Sequence, residues 1–528
     1  MSAEIRDKLW DVIVIGTGVG GGVLGRRLAE NGLSVLFVER GPNGPRGEET
    51  ALDGEMFDPV ARQVRGFWPD PIKAQVNGRS SEFFAPLGAG VGGSSVFYAA
   101  TLERPERHDL DDSADRVHPT GGWPVGYDAF RPYFDQAEKQ FHICGEEDPL
   151  SKEAASALAV APAPEEGDAR MMQGFSDAGL HPYRAHMAVR FLPECKQCFG
   201  FKCPRKCKMD GRSAGVEPAL ETGNATLIDN CEVLALHSTA DAVSHVQVRR
   251  AGKEFELHAK RFVLAAGALS SPRLLLASTS RHWPNGLANN SGLVGRNLMF
   301  HVNEMFAIWP KRGQGFKGAS KAIALRDFYF QGGQRFGVVQ ALGLDASYGE
   351  IVHYLNMMFD RSFLARLKPL RNLTRIPAFL AGKLFGSAKV FVGILEDMPY
   401  AENRVLMERD KPAQISVQYR FKPELLKRRR QFRRLIKRGF REQRLAFLGI
   451  QPELNFGHPS GTLCFGDDPA RSVLNADCRA HGVKNLFVAD ASFMPTSMGI
   501  NPSLTIAANA LRVADRMLAD KGNDDGSD

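Results

Sequence analysis

Residues 11–41, DVIVIGTGVGGGVLGRRLAENGLSVLFVERG, decide how the rest of the chain is read. Val12 to Ile15 is a short apolar, β-branched run, and Gly16, Gly18 and Gly21 follow in G-x-G-x-x-G spacing. Glycines at these places let the backbone turn tightly and approach a pyrophosphate, which then sits on the partial positive charge of a helix N-terminus. The helix carries Val23, Leu24 and Leu28 toward a sheet, and Gly32 suits its C-terminal stop. A second strand, Val35 to Val38, delivers Glu39, with Arg40 beside it, to the place where an acid hydrogen-bonds an adenosine ribose. A glycine fingerprint alone is weak evidence. With both strands, the helix and the acid in register it specifies a Rossmann-like unit that binds a dinucleotide, whose identity this stretch leaves open.

The chain has 528 residues, too many for one hydrophobic core, so two closely joined domains are expected. Hydrophobic residues make up 43% and charged residues 24%, as in ordinary soluble globular proteins. A net charge of +7 is mild for this length and no nucleic-acid module is recognisable, so neither RNA nor DNA is expected as a partner. The N-terminus, MSAEIRDKLW, runs straight into the first strand and leaves no space for an apolar signal core. No apolar run reaches the roughly 18–20 residues of a membrane span. A cytoplasmic location is expected. The acidic, glycine-containing end, residues 521–528, is expected to be disordered.

Outward from the first unit, a second glycine run, PLGAGVGGSS from Pro86 to Ser95, allows backbone to lie against a flat or charged ligand, with Gly88, Gly92, Gly93 and Ser94 as the contact residues. Tyr127 to Phe141 has the spacing of an amphipathic helix. Leu227 to Leu236, Val243 to Arg249 and Glu254 to Leu257 alternate as strands of a β-meander, and Arg261 to Ala266 is a buried-type strand before a helix near Ser271 and Pro272. From His301 to Gln418 short strand-like runs alternate with aromatic and Met-rich text, including Phe306, Trp309, Phe328, Phe336, Tyr348, Tyr354, Met357 and Met358. Ser503 to Leu518 reads as a final helix introduced by Gly499, Asn501 and Pro502, a place that stabilises negative charge.

These pieces together resemble the glucose-methanol-choline (GMC) family of flavin-dependent oxidoreductases, in particular its cholesterol-oxidase-like and long-chain-alcohol-oxidase-like bacterial members. The resemblance rests on the first glycine fingerprint ending at Glu39, Gly88 to Ser95, WPVGYDAFRPYF from Trp123, GALSSPRLLLAS from Gly267, LVGRNLMFHV from Leu293, and the block from His458 to Asp515. It implies an α/β (overall α+β) fold. A discontinuous Rossmann-like FAD-binding domain with a β-meander takes residues 1–105, 208–300 and 451–520. A substrate domain on a mostly antiparallel sheet with helices takes 106–207 and 301–450.

The resemblance also implies the cofactor and the chemistry. The dinucleotide is FAD. His458, from H-x-x-G-T, and Asn501, just before the last helix, face the reactive side of the flavin. An imidazole suits removal of a hydroxyl proton while hydride leaves the carbon for flavin N5, because its ordinary pKa is near neutrality. Asn501 is expected to hold the substrate oxygen. Asp490 and Ala491 match the segment that contacts the pyrophosphate and ribityl chain, Val233 the backbone that pairs with adenine, and Pro502 and Ser503 bring the helix N-terminus to the flavin's pyrimidine edge. Where some members carry a histidine that attaches FAD covalently, this chain has Val96-Phe97-Tyr98, so non-covalent FAD is expected. The reaction implied is oxidation of an alcohol to a carbonyl, with oxygen or another acceptor taking the electrons.

Three further readings complete the expectation. Cys195, Cys198, Cys203 and Cys207 lie within thirteen residues; structural thiols or a disulfide are preferred over an iron–sulfur cluster or zinc, since the run matches no known metal spacing closely, and no metal ligand is assigned. Phenylalanine (34) far exceeds tyrosine (9), and the substrate region offers few polar residues beyond Asn303, Gln340, His353 and Asn356, which favours a bulky apolar alcohol (sterol, terpenoid, aromatic or long-chain) over a sugar or polyol. A lyase or photodecarboxylase on the same fold is the alternative from another class. The basic stretches 361–389 and 427–444 suit peripheral contact with the inner face of an anionic membrane, against the more frequent reading of a solvated basic face.

Overall fold

The computed structural model describes residues 3–46, 58–153, 157–309, 320–343, 355–356, 359, 366–377, 388–408 and 410–524. Tyr348, His353, Tyr354, Met357, Met358 and most of the 361–389 stretch lie outside the described residues.

The opening stretch folds as its pattern requires. Strand β1 (Leu9–Ile15), helix α1 (Val19–Glu30) and strand β2 (Val35–Val38) form a right-handed parallel unit, with β1 and β2 paired from Val12↔Val35 to Ile15↔Val38. The unit sits in a seven-stranded sheet. Strand β3 (Ala225–Ile228) pairs parallel with β2; β4 (Cys231–Ser238) and β5 (Val243–Arg250) are antiparallel to the N-terminal half of β6 (Lys253–Leu264) or to one another. The C-terminal half of β6 runs parallel to β1, and the short strand Leu486–Val488 closes the order beside it.

Two boundaries differ from the sequence reading. Leu227 to Leu236 is two strands, because Asn230 adopts φ 50° and turns the chain from the parallel sheet into the meander. Glu254 to Leu257 and Arg261 to Leu264 are one continuous twelve-residue strand that serves both layers. Apolar alternation marks each half, and nothing in it signals that the backbone continues straight through Lys260.

The second seven-stranded sheet is antiparallel throughout. Its centre is β7 (Val302–Trp309), β8 (Ile323–Leu325), β9 (Val339–Ala341) and β10 (Lys389–Leu395), in the order β7-β10-β9-β8. One face of this sheet packs on the helix Pro423–Gly439 through Phe306, Phe391, Phe432, Ile436 and Phe440. The aromatics Phe306, Phe328 and Phe336 are therefore core residues. A four-stranded sheet pairs the hairpin Ile72–Val76 and Arg79–Phe83 with strands Arg404–Leu406 and Ser416–Tyr419, segments that the sequence reading places in different domains.

The helix Tyr127–Gln140 ends where its apolar spacing does. The last helix, Ser503–Asp524, runs past Leu518, so residues 521–524, expected to be disordered, are helical. It lies on α1, and Arg27 holds Asp515 with hydrogen bonds of 2.8 and 3.3 Å, tying the two ends of the chain together.

Candidate active site

The glycine runs meet. A Cβ on Gly93 (φ +58°) would lie 2.9 Å from Gly18 Cα, and the Gly92 N–H donates to Thr17 Oγ1 at 3.2 Å. Gly16 adopts φ +97° with Ala265 O where a Cβ would be, whereas a Cβ on Gly18 would meet nothing within 4 Å. Two stretches of bare backbone thus lie against each other at the N-terminus of α1, with open space beside Gly18, which is what a pyrophosphate requires. Gly21 lets α1 pack on Gly16, and the Gly88 N–H is held by Ser94 Oγ at 2.9 Å.

Glu39 is buried and its carboxylate accepts from Thr17 N (3.1 Å), Thr17 Oγ1 (2.6 Å) and Gly41 N (3.0 Å). Burial raises its pKa against those hydrogen bonds. Only one of these bonds falls on Oε1, which leaves that oxygen capacity for a ribose hydroxyl. Arg40 lies 3.8 Å over the Trp68 ring, and its buried Nη1 has no hydrogen-bond partner among the described residues. Val233 is on β4, the edge strand of the meander, where backbone groups are free to pair with an adenine. Glycine backbone, a buried acid and an orphaned guanidinium nitrogen together fit the ADP half of a dinucleotide.

Asp490 is placed in the same cleft but its carboxylate is saturated. It accepts from Gly267 N (2.8 Å), Ser271 Oγ (2.5 Å), Ser492 N (3.0 Å) and Ser492 Oγ (2.5 Å). Four donors use the lone-pair sites of a carboxylate, so Asp490 fastens the Gly267–Ser271 corner to the C-terminal segment. Ala491 opens the turn after it, where an N–H has no intrahelical acceptor.

At the other end of the cleft His458 meets His301, their Nδ1 atoms 2.9 Å apart. His301 Nε2 lies 3.1 Å from Ser497 O and 3.0 Å from Met498 O. Both partners are carbonyls, so Nε2 carries the hydrogen; burial holds His301 neutral, with its pKa pushed down to about 4. Its Nδ1 is then a lone pair, which makes His458 Nδ1 the donor and leaves His458 Nε2 bare. The tautomers follow from the hydrogen-bond pattern. Asn455 Nδ2, itself a donor, lies 3.2 Å from the same Nδ1 and competes with this arrangement, while Nε2 on the opposite edge has no hydrogen bond among the described residues. Burial first, then the neighbouring His301 and Lys321, hold the His458 pKa well below its usual range.

The segment that accepts from His301 leads directly to Asn501, which is buried, with Oδ1 unpartnered among the described residues. Pro502 and Ser503 start the last helix, with Ile506 N–H donating to Pro502 O at 3.0 Å. His301 was present in the LVGRNLMFHV segment but carries no spacing signal toward His458, 157 positions away. Lys321 was equally silent: it is buried, forms no hydrogen bond or ion pair with the described residues, and burial brings its pKa down to about 7.

The four clustered cysteines are free thiols and form a small core of their own with Leu192 and Phe201. Among the described residues no group of three or more His, Cys, Asp and Glu side chains is arranged to hold a metal ion. Beneath the cluster Lys208 donates to the carbonyls of Val96 (2.9 Å), Tyr98 (3.2 Å), Cys198 (2.7 Å) and Phe201 (2.6 Å), which joins the cysteine loop to the end of the second glycine run. Among the described residues no helix is long and apolar enough to cross a membrane.

Known proteins share this architecture over the whole chain. The GMC oxidoreductase family matches twice, over residues 11–303 and 399–510. Paromamine 6'-oxidase of Streptomyces fradiae is 28% identical over 97% of this chain and 92% of its own. 2-Methyl-1,2-propanediol dehydrogenase of Mycolicibacterium austroafricanum is 26% identical over 96% and 94%, and the fructose dehydrogenase large subunit of Gluconobacter japonicus 26% identical over 97% and 98%. Among solved structures, formate oxidase of Aspergillus oryzae superposes with a TM-score of 0.67 at 16% identity, covering 98% of this chain and 99% of that one. The chain belongs to the GMC oxidoreductase family, FAD-dependent oxidoreductases that act on alcohol or sugar groups.

Proposed function

We propose that the protein oxidises an alcohol to a carbonyl with His458 as general base. The observation that supports this is the His458–His301 contact: with His301 Nε2 on two carbonyls, His458 is assigned as the Nδ1 donor, and Nε2 is then the nitrogen that takes a proton. As the substrate O–H bond breaks toward Nε2, the C–H bond releases its electron pair and the carbonyl forms. Bound FAD supplies the acceptor for that hydride. The Asn501 amide NH₂ donates to the substrate oxygen in this reading and holds it in line. Anaerobic mixing with a panel of alcohols should bleach the flavin, and His458→Ala should slow bleaching by about 10²–10⁴-fold while retaining bound flavin. Bleaching that survives the substitution excludes His458 as the base. Admission of air then separates oxygen from other electron acceptors.

FAD is held without a covalent bond in this reading, because Val96, Phe97 and Tyr98 stand where an attaching histidine would be, with Phe97 stacked 3.7 Å from Phe67. Acid precipitation should leave the yellow colour in the supernatant; colour in the pellet overturns the assignment. The substrate-facing side of the second sheet carries Met305, Val338, Val392 and Ile394, which suits an alcohol with an apolar body. Contact with an anionic membrane would use Lys427, Arg430, Arg434, Lys437 and Arg438, exposed on the helix Pro423–Gly439, and the exposed Leu367, Leu370, Leu373 and Ile376. Arg428, Arg429 and Arg433 of the same helix are committed to Glu424 and Glu304. Salt-sensitive co-sedimentation with anionic vesicles is expected, and protein that stays in the supernatant at low salt removes the idea.

A further inference from the structure

Two amides on the His301 face of the second sheet have no hydrogen-bond partner at their oxygens among the described residues. The strand register shows where they point. On β7, His301, Asn303 and Met305 share one face, since alternate residues of a strand line the same side. Asn303 pairs across with Ile394, and Met305 with Val392; Val392 pairs on with Gln340, and Gln340 with Ala324. Opposed residues of an antiparallel ladder share a face, so Gln340 lies on the His301 side. The other side carries Phe306 and Phe391, packed on the helix Pro423–Gly439. Half-buried Asn303 and Met305 alternate with buried Val302, Glu304 and Phe306, as expected of a face that opens on a site.

Gln340 is 2% exposed, and its Oε1 is buried with no hydrogen-bond partner. Asn303 Oδ1 is buried and orphaned in the same way. A buried amide oxygen without a donor is unfavourable, so two on one face call for an explanation by what binds there. The floor is set by His458 against His301 and by the Val338 N–H donating to Gly499 O at 2.8 Å, two residues before Asn501. Asn303 therefore stands one same-face position, roughly 6.6 Å, beyond His301, and Gln340 stands in the next row, two strands across.

We infer that Asn303 and Gln340 are specificity residues that accept hydrogen bonds from hydroxyl groups of the substrate other than the one oxidised, so that the substrate is a diol or polyol with an apolar frame. The inference rests on the alcohol-oxidation reading and deepens it. Each amide also offers its NH₂, so a hydroxyl, which both donates and accepts, satisfies it completely. Met305, half-buried on the same face between the two amides, offers apolar cover for the carbon frame.

The test separates binding from chemistry. Flavin-loaded His458→Ala protein is titrated, by perturbation of the flavin spectrum, with a terminal six-carbon alcohol, its vicinal diol and its α,ω-diol. At least one diol is expected to bind about tenfold more tightly than the mono-alcohol. Adding Asn303→Leu should abolish the preference for the vicinal diol, and adding Gln340→Met the preference for the α,ω-diol. The readout is the ratio of affinities within one variant, which a merely structural lesion does not move. Equal affinity for the three probes, absence of diol binding, or variants that weaken all three alike overturn the inference. A diol preference that vanishes in the two variants, in a protein whose His458-intact form is bleached by no alcohol, upholds the amide assignment and refutes the oxidation reading.

Discussion

In the proposed mechanism the His458 base is set by its neighbour. His301 has both ring nitrogens engaged, one on two carbonyls and one on His458, and so fixes which nitrogen of His458 is bare. His301→Leu removes the acceptor and should lower the rate of flavin reduction by about 10²-fold without loss of flavin, whereas His301→Gln, whose carbonyl can still accept from His458 Nδ1, should keep most of it. Equal losses in the two variants would assign His301 to packing alone. Because burial, His301 and Lys321 all hold the His458 pKa below its ordinary value, the base stays neutral into mildly acid solution, and the acid limb of kcat/KM should fall below about pH 6.5. The same sign applies to stability. His301 is neutral in the fold down to about pH 4 but protonates near 6.5 when unfolded, so the stability it contributes is complete above about 6.5 and is lost as the pH falls toward about 4.

Among the elements, the second glycine run does most to shape the cofactor cleft, because it lies backbone to backbone on the first. Gly93→Ala places a methyl 2.9 Å from Gly18 Cα at φ +58°, where an L-residue costs about 1–2 kcal/mol. Weakened FAD binding by about tenfold is expected, read as the ratio of flavin to protein absorbance after gel filtration; unchanged flavin content would mean that the two runs can move apart. The elements also show where local pattern suffices. Strand β1, helix α1 and strand β2 are legible because a 3.6-residue period is framed by two short apolar runs and glycines of known geometry. The split at Asn230 and the fusion of Glu254 to Leu264 are not legible, because a single left-handed residue or an uninterrupted backbone leaves no mark on hydrophobic alternation. The aromatic richness after His301 was a guide to the core against the helix Pro423–Gly439.

In the whole molecule the second sheet is tied to residues 103–106 by buried charges. Arg326, just after β8, donates to Glu103 (3.0 Å), Glu106 (2.7 Å), Tyr183 Oη (3.1 Å) and Arg104 O (2.7 Å). Arg326→Leu leaves Glu103, which is fully buried, without its cation and should destabilise the holoprotein by about 3–5 kcal/mol in denaturant titration. The double variant with Glu103→Gln should recover part of that loss, and a single variant with unchanged midpoint would show that the network contributes nothing. The sequence by itself determined the dinucleotide unit, the family, and His458 and Asn501 as candidates, because each rests on residues close together in the chain whose types and spacing carry the chemistry. Only the tertiary structure decided that His301 meets His458, that Asp490 is saturated by its neighbours, and that Asn303 and Gln340 share the face of the sheet above them. Those facts depend on strand register and on contacts between residues far apart in sequence, and no local period encodes either.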